Sequence, residues 1–389
     1  MSNHSDVKLL ELTDLHIGRP NVPPHMVHEH LVKYVYPKLE GIQILAIVGD
    51  FFDRLCNLNS DDGIYAALIV DELIQYAERY QFYIRVVRGT FSHDRYQNRL
   101  FLTKNYRNPL MLHNKPLVRV IDNIELELFE DLKISVVYCP DDQPYQDVTQ
   151  AVIDVIEAHK LKKVDFLFSH GYWEHLLPKG LTQLPHNTLI YNRIDPYIQG
   201  AILNGHVHTP NIHGKVFNGG SFERLQHGEE EEKGYFLITY NSTTHKIQYT
   251  FVVNEDAIPF VTVDLDTTFN VEDALIRIGA VVDKIREKRK DPDLKIFLRI
   301  AGNSDFVAAY VKENFNNVVV SKKSTATQDV NTEELVQVLD ELPVITEDNL
   351  PSMIAECLKG TDTPLTEQEI KEILGQLPYP SGESLLGQA

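Results

Sequence analysis

Aspartate and histidine recur where apolar runs of this chain stop. "VKLLELT" gives way to Asp14 and His16, and "IQILAIVGD" closes on Asp50, with Asp53 three residues later. "YIRVVRG" leads into Ser92, His93 and Asp94, "VDFLFSHG" carries His170, and "AILNGHVH" ends in His206 and His208. Carboxylate plus imidazole is a donor set that suits manganese, iron or zinc. Two such ions roughly 3.5–4 Å apart can share a bridging carboxylate and activate a water between them. A phosphate diester is the natural target, with a nearby acid protonating the leaving oxygen. Each pair alone has an ordinary explanation: an Asp after a strand can cap a helix, and a His can be a satisfied core residue. Five in order, each ending an apolar run, make coincidence improbable. In an extended segment residues i and i+2 point to one side, so His206 and His208 can both reach into one site.

These residues need a scaffold that gathers strand ends. The first half alternates strands with helices: strands at 7–13, 42–50 and 83–89, helices over about 25–39 and 61–79. That alternation predicts an α/β core with mainly parallel strands, whose ligands bind beyond the strands' carboxyl ends. "PLVRVI", "IELELF" and "KISVVYCP" follow in quick succession and read as antiparallel strands. "VTQAVIDVIEAHK" reads as a helix, and "KVFNGGS", "GYFLITY" and "KIQYTFVV" as further strands. The expected fold class is α/β, an α+β sandwich of two sheets face to face with helices outside. Near residue 256 the pattern changes to a small α+β unit, with helices over about 271–288 and 304–315. Beyond Ser324 only short amphipathic helices are expected. Leu335, Val338, Leu339 and Leu342 share one helical face, as do Ile370, Ile373, Leu374 and Leu377 behind a capping box of Thr366 and Glu369.

Composition narrows the classes. The 389 residues suit two or three domains, and 43% apolar with 24% charged content suits a soluble globular protein. No apolar run approaches the roughly 18–20 residues of a membrane span, and no secretory signal is visible at the N-terminus. Cys56, Cys139 and Cys357 are too far apart for a disulfide framework or a zinc spacing, so a reducing cytoplasm is expected. The net charge of −19 argues against a protein that simply coats nucleic acid. It is uneven: Ser324–Ala389 has thirteen acidic residues against Lys359 and Lys371, a net of −11 that leaves −8 for the rest. Between Arg85 and Arg107, Arg85, Arg88, Arg95, Arg99, Lys104 and Arg107 face only Asp94, a net of +5.

The ordered motifs D-x-H, G-D-x-x-D, H-D, a strand-end His-Gly and G-H-x-H resemble those of the calcineurin-like metallophosphoesterases. The segment "NGGSFERLQHGEEEEKGYFLI" (218–237) is similar to that of the SbcD-type nuclease subunits of SbcC–SbcD DNA-break-processing complexes, relatives of which bacteriophages also encode. The resemblance covers residues 14–237 by motif and the later regions by position. It implies a nuclease domain over 1–255, a capping, DNA-binding domain over 256–325, a helical ATPase-binding region over 326–377 and a tail over 378–389. It further implies Asp14, His16, Asp50 and His208 around one metal, Asp50 bridging, with His170 and His206 on the second. His93 would be the catalytic histidine, with Asp94 orienting its ring and Asp53 in support. Two divalent ions, Mn2+ first and Mg2+ second, are the implied cofactors.

The third motif departs from that family, which has Gly-Asn-His-Asp with the Asn oxygen as a ligand. Here "RGTFSHD" puts Ser92 at the Asn position, unless Thr90 aligns there and two residues intervene before His93. The basic run flanks this motif, so Arg88, Arg95, Arg99 and Lys104 are expected to meet DNA phosphates, a sequence-independent contact. Helix 60–80 is apolar over more than one stripe, which fits either burial between layers or a homodimer interface. The acidic tail would dock on an SbcC-type, SMC-like ATPase. The expected activity is double-strand exonuclease and single-strand endonuclease cleavage in DNA break repair and recombination, in a bacterial or phage-infected cytoplasm. Two rivals stay open: a phosphoesterase acting on a non-DNA substrate, and an adaptor with weakened catalysis, which Ser92 alone favours.

Overall fold

The computed structural model describes residues 6–105, 109–177, 184–185, 187–264, 271–292, 294–301, 311 and 315–323. The expected tail helices, including Leu335–Leu342 and Ile370–Leu377, lie outside the described residues, as does most of the helix expected over 304–315. Seventeen strands are described. In chain order β1 is Asp6–Leu12, β2 Ile44–Val48, β3 Tyr83–Val87, β4 Met111–Leu112, β5 Lys115–Pro116 and β6 Val118–Ile121. Then follow β7 (Glu125–Phe129), β8 (Ile134–Cys139), β9 (Val164–His170), β10 (Ile198–Gly205), β11 (Asn211–His213) and β12 (Val216–Asn218). The last are β13 (Gly234–Asn241), β14 (Ile247–Val253), β15 (Phe260–Asp264), β16 (Ile296–Ala301) and β17 (Val318–Lys323). The α-helices are α1 (Pro24–His30), α2 (Asp61–Tyr80), α3 (Phe91–Asp94), α4 (Val148–Ala158), α5 (Tyr191–Ile194) and α6 (Val271–Arg289).

Two six-stranded mixed sheets carry the first 253 residues, in the orders β14-β13-β1-β2-β3-β6 and β11-β12-β10-β9-β8-β7. The side-chain period of two explains how they pack. On β8, β9 and β10, Val136, Tyr138, Phe166, Phe168, Ala201 and Leu203 join the core shared with β1 and β2. Their neighbours Val137, Leu167 and Ile202 point the other way, onto Val148, Val152 and Ile156 of α4. Strands buried on both faces read as unbroken apolar runs, which is why these stretches stand out in the sequence.

One expected pairing is different. "PLVRVI" does not form an antiparallel meander with its successors; β6 runs parallel to β3 and closes that edge of the first sheet. Some thirty residues with α3 and the β4–β5 hairpin intervene, long enough to return the chain in the same direction. β7 and β8 do pair antiparallel. Helix α2 matches its expected span, with Ser60 accepting a hydrogen bond from the Gly63 amide as N-cap. The helix expected over 25–39 is broken: α1 ends at His30, then a wide π turn covers Leu31–Val35 and a 3-10 turn runs over Tyr36–Lys38 around Pro37.

The segment after residue 256 adds a third sheet: β15, β16 and β17 are all parallel, with α6 crossing over between the first two, and Phe260 and Phe297 join the main core, so residues up to Lys323 make one compact unit. Ala274, Ile278 and Val282 of α6 pack on Ile296, Leu298 and Ile300 in a separate core. No helix among the described residues is long and apolar enough to cross a membrane.

Candidate metal centre

Parallel pairing sets the geometry. β1, β2 and β3 run in one direction, as do β8, β9 and β10, so the carboxyl end of each set lies along one edge. Loops from those ends bring Asp14, His16 and His208 into one group of donor atoms, and Asp50, His170 and His206 into another; within each group the atoms lie within 4.8 Å of one another. Asp50 joins them: its Oδ2 is 3.7 Å from Nε2 of His16 and 3.3 Å from Nε2 of His170. His93 closes on the same carboxylate in a third group with His16 and Asp50. His206 and His208 do converge, but from the loop beyond β10 rather than from an extended strand, and His206 has a φ of 93°.

The backbone is strained here. Asp14, His16 and Asp50 adopt left-handed φ values of 51°, 47° and 47°. Such conformations cost on the order of 1–3 kcal/mol each in a non-glycine residue and cluster where a site must be held in shape. Glycines supply the close approaches: a Cβ on Gly205 would stand 2.1 Å from Thr13 Oγ1 and 2.6 Å from His170 Nδ1. Buried amides then pin the histidine loop. Asn204 accepts from Ser169 and the Trp173 indole and donates to Asn218 Oδ1, while Asn218 donates to the carbonyls of Val207 and Thr209.

Three of the imidazoles are oriented through their second nitrogen. His170 Nδ1 donates to Val48 O at 2.7 Å, His16 Nδ1 lies 3.1 Å from Asp53 Oδ1, and His208 Nδ1 lies 2.8 Å from Glu229 Oε1. Asp53 thus has the supporting place expected of it. Burial alone would push the His16 ring down, but Asp14, Asp53 and Asp50 beside it hold it up at about 9. His170 is likewise depressed by burial and raised, to about 10, by the charge of Asp50. Burial would raise Asp14, yet His16, His170 and His208 hold its carboxyl well below the usual range. The field in the site is strongly negative, the kind that draws a cation. The donors also fit one. Buried His170 Nε2 has no hydrogen-bond partner among the described residues; its 3.3 Å approach to Asp50 is an ion-pair contact without hydrogen-bond alignment. Together with carboxylate oxygens and a further imidazole, that orphaned nitrogen is a metal ligand's arrangement.

The third motif corrects several expectations. Ser92 is exposed and has no place among the donors. Thr90 takes the position instead: its Oγ1 lies 3.3 Å from His206 Nδ1 and 3.4 Å from Asp50 Oδ2, and its amide donates to Asp50 Oδ1 at 2.7 Å. The reason is α3, which starts at Phe91 and turns Ser92 outward. Asp94 does not orient His93. It is fully buried and accepts from the amides of Asp50, Phe52 and Gly89 and from Asn98, fixing the Asp50 loop. Burial pushes its carboxyl up to about 6, the charge of Asp50 adds to this, and those donors work against it. His93 is oriented by a backbone group, Nδ1 donating to Asp53 O at 2.5 Å.

The basic run divides in two. Arg88 does not face the site: it is buried, and its guanidinium donates to the carbonyls of Asp141 and Asp122. Arg85 is fully buried against Glu127. β3 alternates into the interior, and both residues ride on it or its end. Arg95 and Arg99 are exposed. The side chain of Lys104 and residue 107 lie outside the described residues.

Three supporting residues were not singled out in the sequence. Asp141 follows β8 and places Oδ2 3.9 Å from His206 Nδ1. It obeys the same rule of an acid beyond an apolar strand that found the others. Glu229 sits in the acidic patch of "HGEEEEKGY"; its carboxyl is held at about 2, where burial would raise it, by His208 and Lys233. Lys233 is buried, donates to His208 O and lies 3.2 Å from Glu229. Comparison with protein-family models and with characterised proteins returned no match for this chain.

Proposed function

We propose that this chain is a metal-dependent DNA nuclease of the SbcD type, built on a metallophosphoesterase core. The observation that carries this reading is the position of Asp50, whose Oδ2 stands between His16 and His170 as a ligand shared by two ions must. Asp14, His16, Asp50 and His208 would hold one ion and Asp50, His170 and His206 the other, with Mn2+ favoured by the mixed oxygen and nitrogen donors and Mg2+ the alternative. These residues would hold two cations whose chemistry, when bound, would be to neutralise phosphate oxygens and lower the pKa of a water toward neutral pH. His93, with Nδ1 committed to Asp53 O, keeps Nε2 for a proton and can pass it to the leaving oxygen.

Support for DNA as substrate comes from the segment around His93. Exposed Arg95 and Arg99 can meet phosphates, and the rings of Phe91 and Tyr96 are 41% and 58% exposed, faces on which bases can stack. The exposed Ile64 and Leu68 of α2, with exposed Leu55 and Leu58 in the loop before it, suit a homodimer interface. The family's repertoire, double-strand exonuclease and single-strand endonuclease action with an SbcC-type ATPase in a bacterial or phage-infected cytoplasm, belongs to the same proposal. The inward turn of Arg85 and Arg88 favours a second reading, a phosphodiesterase for a small substrate. Purified protein with Mn2+ should degrade linear duplex DNA and nick single-stranded circles. Hydrolysis of bis(p-nitrophenyl) phosphate without any DNA cleavage would instead support the second reading.

A further inference from the structure

The two donor groups are unequal. Around one proposed ion stand Asp14, His16, His208 and the shared Asp50; around the other the tight groups among the described residues supply His170, His206 and the shared Asp50. Divalent ions of this class take at least four ligands, and manganese and magnesium prefer six, many of them oxygen. Two oxygens lie beside the poorer group. Thr90 Oγ1 is 3.3 Å from Asp141 Oδ2, 3.3 Å from His206 Nδ1 and 3.4 Å from Asp50 Oδ2, and Asp141 Oδ2 is 3.9 Å from His206 Nδ1. Neighbouring ligands around an ion with bonds of about 2.1 Å are separated by roughly 3.0–3.4 Å, which most of these spacings approach.

Asp141 is otherwise poorly served. It is 9% exposed, and its Oδ2 has the long contact to the Thr90 hydroxyl. The cation next to it, Arg88, donates to the Asp141 backbone carbonyl and lies 3.7 Å from the Asp122 carboxylate, so it holds the Asp141 loop in place without pairing its side chain. A buried carboxylate is costly unless a cation answers it. Tyr172 packs edge-on against His206 at 4.2 Å, which helps to hold that ring in place.

We propose that Asp141 is a direct ligand of the second divalent cation and that the Thr90 hydroxyl completes the same coordination sphere. The inference rests on the two-cation reading of the site and adds to it a third carboxylate. Asp141 brings a hard, charged oxygen to a group otherwise dominated by imidazole, which favours Mn2+ or Mg2+ there over a softer ion. Thr90 alone, a neutral hydroxyl, would be a weak ligand; next to Asp141 its proton has an acceptor and its lone pairs are free for the ion.

The test is Mn2+ binding by the full chain, followed by calorimetry and by electron paramagnetic resonance. Wild type should bind two Mn2+ and give the exchange-coupled spectrum of ions a few ångströms apart. Asp141→Ala should bind one tightly and the second at least 10–100-fold more weakly, the loss typical even of outer partners of a metal site, and its spectrum should revert to the six lines of an isolated ion. Asp141→Asn, of the same shape, guards against a folding defect and should weaken the second ion in the same direction. Two ions bound by Asp141→Asn and Asp141→Ala at wild-type affinity, with the coupled spectrum retained, would overturn the role of Asp141 while leaving the two-cation site standing. Failure of wild type to bind two ions would overturn both.

Discussion

Asp50 Oδ2 stands 3.3 Å from a His170 Nε2 that has no hydrogen-bond partner among the described residues. His170 Nδ1 is spent on Val48 O, so the ring is locked with its free nitrogen toward the carboxylate. Buried polar atoms are almost always satisfied, and an orphan beside an acid therefore marks a place for something else. The same carboxylate lies 3.7 Å from His16 Nε2, which would make Asp50 the ligand shared by the two proposed ions.

Asp50→Ala should accordingly remove both ions and all Mn2+-dependent nuclease activity. His208→Ala should also abolish activity, but by weakening only the ion beside Asp14 and His16, so one ion should still bind. Metal analysis after gel filtration distinguishes the two variants. Full activity in either would sink the assignment of the site.

His93→Ala should keep both ions and lose most turnover, since His93 faces the site with one nitrogen and is anchored to the Asp53 carbonyl by the other. Proton delivery to a leaving group is typically worth on the order of 10² to 10⁴ in rate. Loss of a bound ion in this variant would make His93 a ligand instead.

Arg95→Ala and Arg99→Ala should each weaken DNA binding evenly across sequences and reduce the salt dependence of log K by about one. Arg88→Ala should act differently. Its guanidinium ties the Asp141 loop to the end of β3, so the variant should lower the melting temperature with little change in salt slope. Equal salt slopes in all three variants would mean that the basic segment does not meet phosphate.

The site was legible because its donors end apolar strands. Parallel strands buried on both faces make unmistakable runs, and Asp14, Asp50, His170 and His206 lie at their ends or within two residues of them. The third loop was harder. Ser92, His93 and Asp94 are adjacent in sequence, but α3 splays them: Ser92 turns to solvent, His93 to the donors, Asp94 into the core. Whether a hydroxyl two residues earlier replaces it depends on where that short helix starts, which local sequence does not settle. Arg85 and Arg88 belong to the same limitation. A charge on a strand counts toward a basic surface only if its alternation points outward, and β3 is buried along its whole length. Glu229 and Lys233 were visible as an acidic patch and a Lys-Gly pair, but their service to His208 needs the fold to bring them across.

Arg85 carries the last prediction. From β3 of the first sheet it makes two parallel 2.8 Å bonds to Glu127 on β7 of the second, beside the paired rings of Tyr83 and Phe129, and Tyr138 donates to the same carboxylate at 2.8 Å. Removing one partner of a buried pair leaves the other charge uncompensated, at a cost of about 3–5 kcal/mol, so Glu127→Gln should be strongly destabilised at neutral pH. Burial alone would raise the Glu127 carboxyl, but Arg85 with its bonds and charge, helped by Arg119, holds it below its ordinary value of 4.5. With the folded pKa depressed, the unfolded chain binds the proton more readily. The pair's contribution is therefore complete above the ordinary carboxylate range and is lost as the pH falls through the lower folded value. Thermal melts of wild type and Glu127→Gln from pH 7 to pH 3 should show a wide gap in melting temperature that narrows below about pH 4.5. A gap that is constant down to pH 3 would show that the charge of Glu127 contributes nothing beyond its shape.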